Sequence, residues 1–185
     1  MQSYTIKDLM VPLSEYATVS EDANLKETVM ALEKAQEAFD QTRYRHRALL
    51  VVNEDNHVVG KINQIDILKA LEPKYEKIGI QKGMASYGFG QKFMKSLRDQ
   101  FQLWSDPLQN VRKRAEEVKV RDFMYTPSEG EYVKITDSID VAIHRLVMGQ
   151  HQSLLVTSGE EIVGILRLTD VFMDIFTLLF SEDQE

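Results

Sequence analysis

Gly60-Lys61-Ile62-Asn63-Gln64-Ile65-Asp66 and Gly164-Ile165-Leu166-Arg167-Leu168-Thr169-Asp170 stand at matching places in the two halves of a 185-residue chain. An apolar run, Val58-Val59 or Ile162-Val163, leads into each glycine, and apolar residues at helical spacing follow each aspartate. The pattern predicts strand, turn and helix in that order. The aspartate then falls in the first helical turn, where unpaired backbone N–H groups and the positive end of the helix dipole favour a negative charge or a bound anion. Such a junction can hold a nucleotide, and it can equally be a plain capped helix.

Outward from the motifs, the halves repeat each other. Ala48 to Val52, a polar turn from Asn53 to His57 and Val58-Val59 read as a hairpin. Its counterpart is Ser153 to Val156, Thr157 to Glu161 and Ile162-Val163, aligned without a gap through the final aspartate. Further upstream, Ile6-Lys7-Asp8-Leu9-Met10 precedes Val11-Pro12, and Val120-Arg121-Asp122-Phe123-Met124 precedes Tyr125-Thr126-Pro127. Each is followed by a short β-prone piece, Tyr16 to Ser20 or Tyr132 to Thr136, then an acidic cap region and a helix. Leu25, Val29, Leu32 and Phe39 share one helical face with Ala35 alongside, as Ile139, Ile143 and Leu146 do in the second copy.

Each copy is therefore strand, helix, strand, strand, helix. A three-stranded sheet covered by helices on one face leaves the other face bare, so two copies pack together about an approximate twofold. The expected fold is α/β (α+β), with repeats at 1–71 and 120–180, a helical insertion at 72–119 and an acidic tail at 181–185.

Composition narrows the function. A net charge of -7 argues against broad nucleic-acid binding, which needs a basic surface, and the absence of cysteine excludes disulfides, thiol catalysis and thiolate-held zinc. The start, Met1 to Thr5, lacks the apolar core of a signal peptide, and the most apolar segment, Val171 to Phe180, is short and broken by Asp174. The expectation is a soluble, cytoplasmic protein with no membrane insertion. Gly83 and Gly88 have phosphate-loop separation, but Phe89 stands where the lysine is required. No Ser-His-Asp order and no zinc-type histidine pair is present, so no catalytic residue, no metal ligand and no enzyme is expected.

The order of elements, the Asp-Leu-Met and Asp-Phe-Met lead-ins and the paired Gly-to-Asp motifs resemble tandem CBS domains, the cystathionine-β-synthase-type modules also called Bateman modules, over about three quarters of the chain. The resemblance implies a pair of repeats whose cleft takes an adenosine-containing regulatory ligand such as AMP, ADP, ATP or S-adenosylmethionine. It implies no obligatory cofactor, a homodimer, and a partner enzyme or transporter.

In that family's motif an aspartate holds the ribose hydroxyls, and Asp66 and Asp170 stand at its position. A carboxylate suits a diol because it accepts from both hydroxyls. The family's phosphate-binding hydroxyl residue is replaced by Asn63 and Arg167. Asn63 with Asp66 also makes a capping arrangement. Arg167 has no acceptor with which to cap, so it reads as a bidentate phosphate donor, or else it turns outward or pairs with a nearby acid while Thr169 caps. Val11 and Pro12, and Tyr125, Thr126 and Pro127, match the purine-facing loops; Tyr125 reads as a stacking platform or as ordinary packing. Arg47 closes a basic run, Arg43 to Arg47, that reads as a phosphate-side cluster or as a solvated edge.

The insertion is too long to be structureless. Phe93, Leu97, Phe101 and Trp104 make one helical stripe, and Ser105-Asp106-Pro107 ends that helix and starts another carrying Leu108, Val111, Ala115 and Val118. These faces pack on the repeats, contact a second copy, cover the cleft or dock a partner. Two functions follow: a stand-alone ligand sensor, or a ligand-free structural adaptor assembling through its helices.

Overall fold

The computed structural model describes residues 5–37, 48–78, 90–105 and 108–180. Strands β2 (Thr18–Ser20), β3 (Ala48–Val52) and β4 (Val58–Asn63) form one sheet, with β2 parallel and β4 antiparallel to β3. Strands β5 (Tyr132–Lys134), β6 (Ser153–Ser158) and β7 (Glu161–Arg167) repeat the arrangement. A parallel pair needs a crossover, which helix α2 (Leu25–Glu37) supplies between β2 and β3, and α8 (Ile139–Gly149) between β5 and β6. The second sheet is four-stranded rather than three, because β1 (Val11–Pro12) adds itself antiparallel to β7.

That extra strand marks an exchange of lead-ins. Helix α1 (Ile6–Leu9) buries Ile6 in the core of the second repeat, with Val133, Leu146, Leu154 and Leu166. Helix α7 (Val120–Phe123) buries Val120 in the core of the first, with Leu25, Leu49 and Ile62. Val11 consequently pairs with Ile165, while Tyr125 and Lys61 exchange two backbone hydrogen bonds of 2.9 Å. Each motif is thus flanked by the lead-in of the other repeat.

The motif glycines permit this approach. A Cβ at position 164 would lie 2.6 Å from the Val11 carbonyl oxygen, whereas one at position 60 would meet the Met124 sulfur, in a flexible side chain, at 2.9 Å and the Tyr125 carbonyl oxygen only at 3.1 Å. Gly164→Ala is expected to cost about 1–3 kcal/mol of unfolding free energy through overpacking against backbone. Gly60→Ala should cost less, and urea denaturation giving equal losses would contradict the account.

Between the sheets lies a third apolar cluster of Val11, Tyr16, Leu50, Leu155 and Ile165, with Leu13, Val58, Tyr132 and Ile162 packed around it. Leu50 and Leu155 precede residues paired with the two motif glycines, Val51 with Gly60 and Val156 with Gly164. Those separations are nine and eight residues, so the first hairpin carries one extra residue and the halves do not align without a gap.

Two further details differ from the sequence pattern. In α2, Leu25, Thr28 and Leu32 face the core while Val29 is 44% exposed. Thr28 tolerates burial because its hydroxyl donates to the Asn24 carbonyl oxygen at 2.8 Å; Phe39 lies outside the described residues. In the insertion, α4 (Lys74–Lys77) precedes α5 (Gln91–Phe101), which ends where Gln102 turns left-handed at φ 50°. Trp104 therefore leaves the expected stripe. Its backbone N–H donates to the buried Glu72 carboxylate at 2.7 Å and its indole to the Tyr75 hydroxyl at 3.0 Å. Ala115 of α6 (Leu108–Glu117) and the following Val118 pack on the core of the first repeat. Among the described residues, no helix is long and apolar enough to cross a membrane.

Candidate functional site

At the second motif, β7 ends on Arg167 and helix α9 (Leu168–Phe180) begins. The Arg167 guanidinium donates to both oxygens of Asp170, at 2.6 and 2.5 Å, a bidentate pair whose side chains are only 9% and 17% exposed. Of the outcomes open to Arg167 in the sequence, partnership with an acid is the one in place. Its fork matches a carboxylate as it would a phosphate. Thr169 is half-buried beside the pair. The chain after β1 also reaches this corner: burial pushes the Tyr16 phenol up to about 12, with Arg167 opposing the shift and Asp170 adding to it. Val11 and Pro12 of one repeat thus pair with Ile165 and Gly164 of the other, and Tyr16 stands within electrostatic reach of Arg167 and Asp170.

The first motif has the same plan and different contents. Asn63 caps α3 (Gln64–Leu71), its Oδ1 accepting from the N–H groups of Ile65 at 2.8 Å and Asp66 at 3.1 Å. Asp66 returns the bond, accepting from the Asn63 N–H at 3.0 Å. Three residues before the start of α3, at the position that Ile165 occupies in the second motif, Lys61 sends its ammonium to Glu131. Glu131 is 1% exposed and also accepts from the Tyr125 hydroxyl, and from the Ser128 N–H at 3.1 Å and hydroxyl at 3.2 Å. Burial alone would raise its carboxyl, but the hydrogen bonds from Lys61, Tyr125 and Ser128 and the ammonium charge together lower it to about 2.

Tyr125, immediately before Thr126 and Pro127, accordingly pairs with Lys61 of the first motif, the motif of the other repeat. The Lys61 ammonium lies 5.3 Å from the centre of the Tyr125 ring, Thr126 is exposed and Pro127 buried. Arg47 and the rest of its basic run lie outside the described residues. Sequence reasoning missed three participants. Lys61 was signalled by a charged residue at an apolar position of the motif, and Glu131 by the Ser128-x-x-Glu131 capping pattern that the structure realises. Tyr16 had no signal beyond its place after the purine-facing loop. Among the described residues, no group of three or more histidine, aspartate or glutamate side chains is placed to hold a metal ion.

A family model for the CBS domain matches residues 6–73. No curated protein matches the chain in sequence. Solved structures do match in fold. CBSX2 in complex with AMP superposes with a TM-score of 0.58 at 15% identity, over 95% of this chain and 98% of that one. A CBS domain-containing protein from Bacillus anthracis str. Ames Ancestor gives 0.60 at 17% identity, over 94% of each chain. The CBS domain of a membrane protein from Sphaerobacter thermophilus gives 0.59 at 18%, over 93% of this chain and 88% of that one. At these identities the likeness is one of fold.

Proposed function

We propose, for a chain whose first repeat is a CBS domain and whose fold is that of a CBS pair, a regulatory module that binds an adenosine-containing ligand between its repeats and signals its occupancy to a partner protein. The observation that carries the reading is the Arg167–Asp170 pair at the β7–α9 junction, with Val11 and Pro12 of the other repeat alongside. A carboxylate that accepts from a diol and a guanidinium that grips a phosphate are the two groups a nucleotide requires. The structural relative CBSX2 was solved with AMP, which supports the ligand class.

The exchanged lead-ins supply a mechanism. A ligand at either motif touches both repeats at once, so its binding favours one relative arrangement of them, and a partner with different affinity for that arrangement reads the change. No catalytic step belongs to this reading. Calorimetric titration with AMP, ADP, ATP and S-adenosylmethionine tests it. Asp170→Asn, shown folded by circular dichroism, is expected to weaken binding at least tenfold, and unchanged affinity would remove Asp170 from the site.

One observation favours the adaptor reading. On α9, Phe172, Phe176, Leu179 and Phe180 are 62%, 46%, 72% and 67% exposed, an apolar surface suited to a second copy of the chain or to a partner. No heat with any nucleotide, together with self-association lost on Phe176→Asp, would select that reading.

A further inference from the structure

We infer that the insertion carries a ligand site of its own, a groove between α4, α5 and the turn after α5, and that its occupant is a free amphipathic carboxylate, an alkyl chain with one anionic end. The inference goes beyond the sensor reading and uses no residue of the two motifs.

Tyr75 and Ile78 from α4 and its end, Met94 and Leu97 from α5, and Leu103 and Trp104 from the turn line a groove of about 500 Å³, within the range of small-molecule sites. Helix α5 buries none of its residues, so Met94 and Leu97 give the groove an apolar wall that the described chain only partly covers. The turn is held in an unusual backbone conformation. Gln102 and Trp104 are both left-handed, at φ 50° and 57°, which a bulky side chain rarely adopts and keeps only where its surroundings impose it. Here they do: the Trp104 N–H donates to the Glu72 carboxylate at 2.7 Å, and the Lys74 ammonium to the Gln102 carbonyl oxygen at 2.9 Å. The indole N–H is itself satisfied by the Tyr75 hydroxyl at 3.0 Å, so Trp104 offers the groove an apolar ring and not a free donor.

Charge selects the occupant. Gln91, Lys95 and Arg98 recur at helical spacing along α5 and make the polar edge of the groove. Its lining, among the described residues, thus holds two cations and no carboxylate, in a chain whose net charge is -7. Asp99 meets Arg98 only at 3.8 Å, with both side chains more than half exposed, a bridge that solvent screens and a ligand carboxylate can replace. Glu72 is buried and spent on the backbone N–H groups of Trp104 and Lys74. An alkyl carboxylate answers both features: its chain leaves water against the apolar wall, and its anion meets the ammonium and the guanidinium. A bilayer would take an outward-facing apolar ridge, whereas this apolar surface lies in a groove between elements, which a free molecule fits.

Titration of the full chain with octanoate below its micellar concentration, followed by calorimetry and by the fluorescence of Trp104, the one tryptophan of the sequence, tests the inference. The expected result is a saturable change at one equivalent per chain and binding weaker by roughly tenfold or more in Lys95→Glu/Arg98→Glu. Octanol should bind wild type at least about fivefold more weakly than octanoate, a comparison that needs no variant. Equal affinity for octanol and octanoate, a response that does not saturate, or undiminished binding in the double variant shown folded by circular dichroism would overturn the inference. So would co-sedimentation with phosphatidylglycerol vesicles or self-association, in place of octanoate binding, that Met94→Asp abolishes; the first would make the groove a membrane contact and the second a contact between copies.

Discussion

Lys61→Met is expected to lower the free energy of unfolding by about 3–5 kcal/mol at neutral pH, the penalty of leaving one member of a buried ion pair without its partner. The methionine keeps most of the lysine stem's apolar contact, so the loss reports the charge and not the packing. Glu131 would retain the Tyr125 hydroxyl and the Ser128 N–H and hydroxyl, three donors for a carboxylate that now has no counter-charge. The double variant Lys61→Met/Glu131→Gln should recover most of the loss, because an amide oxygen accepts the same bonds without charge. Urea denaturation of the two variants beside wild type measures both effects. A single-variant loss under about 1 kcal/mol would place the pair among solvent-screened surface bridges and contradict its burial.

The same carboxylate should govern acid stability. Its folded pKa of about 2 lies below the ordinary 4.5, so the unfolded chain takes up the proton first. The stabilisation, about 3 kcal/mol from a shift of that size, is fully present above pH 4.5 and is lost as the pH falls through about 2. Unfolding free energies measured across this window should slope downward toward acid in wild type. The slope should be shallower in the double variant, and identical slopes would assign the acid sensitivity to other carboxylates.

How much of this could be read from the sequence depends on distance along the chain. The strand, turn and helix around Asp66 and Asp170 were legible because periodicity and capping act within a few residues, and the Asn63 cap was visible in its spacing from Asp66. Arg167 was legible as a residue needing an anionic partner, though not which one. The exchange of α1 and α7 was not legible: each is a four-residue helix whose apolar residues fit either core, and nothing local distinguishes burial beside Leu166 from burial beside Ile62. The Lys61–Glu131 tie spans 70 residues and stayed hidden for the same reason. Trp104 was misplaced because the left-handed turn at Gln102 uses a residue type that carries no turn signal of its own.

The exchange leaves the layer between the sheets as the place where residues of both repeats pack together, and Leu155→Ala should expose its role. Leu155 is 1% exposed and packs with Leu50 of the other repeat, so its truncation is expected to cost about 2–5 kcal/mol, as cavities in rigid cores do. Leu154→Ala gives the control, because Leu154 is equally buried but faces Ile6, Val133 and Leu146 within the second core. Both variants should lose similar global stability. They should differ in where the native state opens: Leu155→Ala should speed amide exchange in Lys61 and Tyr125, whose backbone hydrogen bonds join the repeats, while Leu154→Ala should leave them comparatively protected. A lever that loosens the repeats against each other without loosening either core would also lower ligand affinity, since a ligand that contacts both repeats must first restore their arrangement. Equal exchange at Lys61 and Tyr125 in the two variants would mean that the repeats and their interface open as one unit, leaving no separate arrangement for a ligand to select.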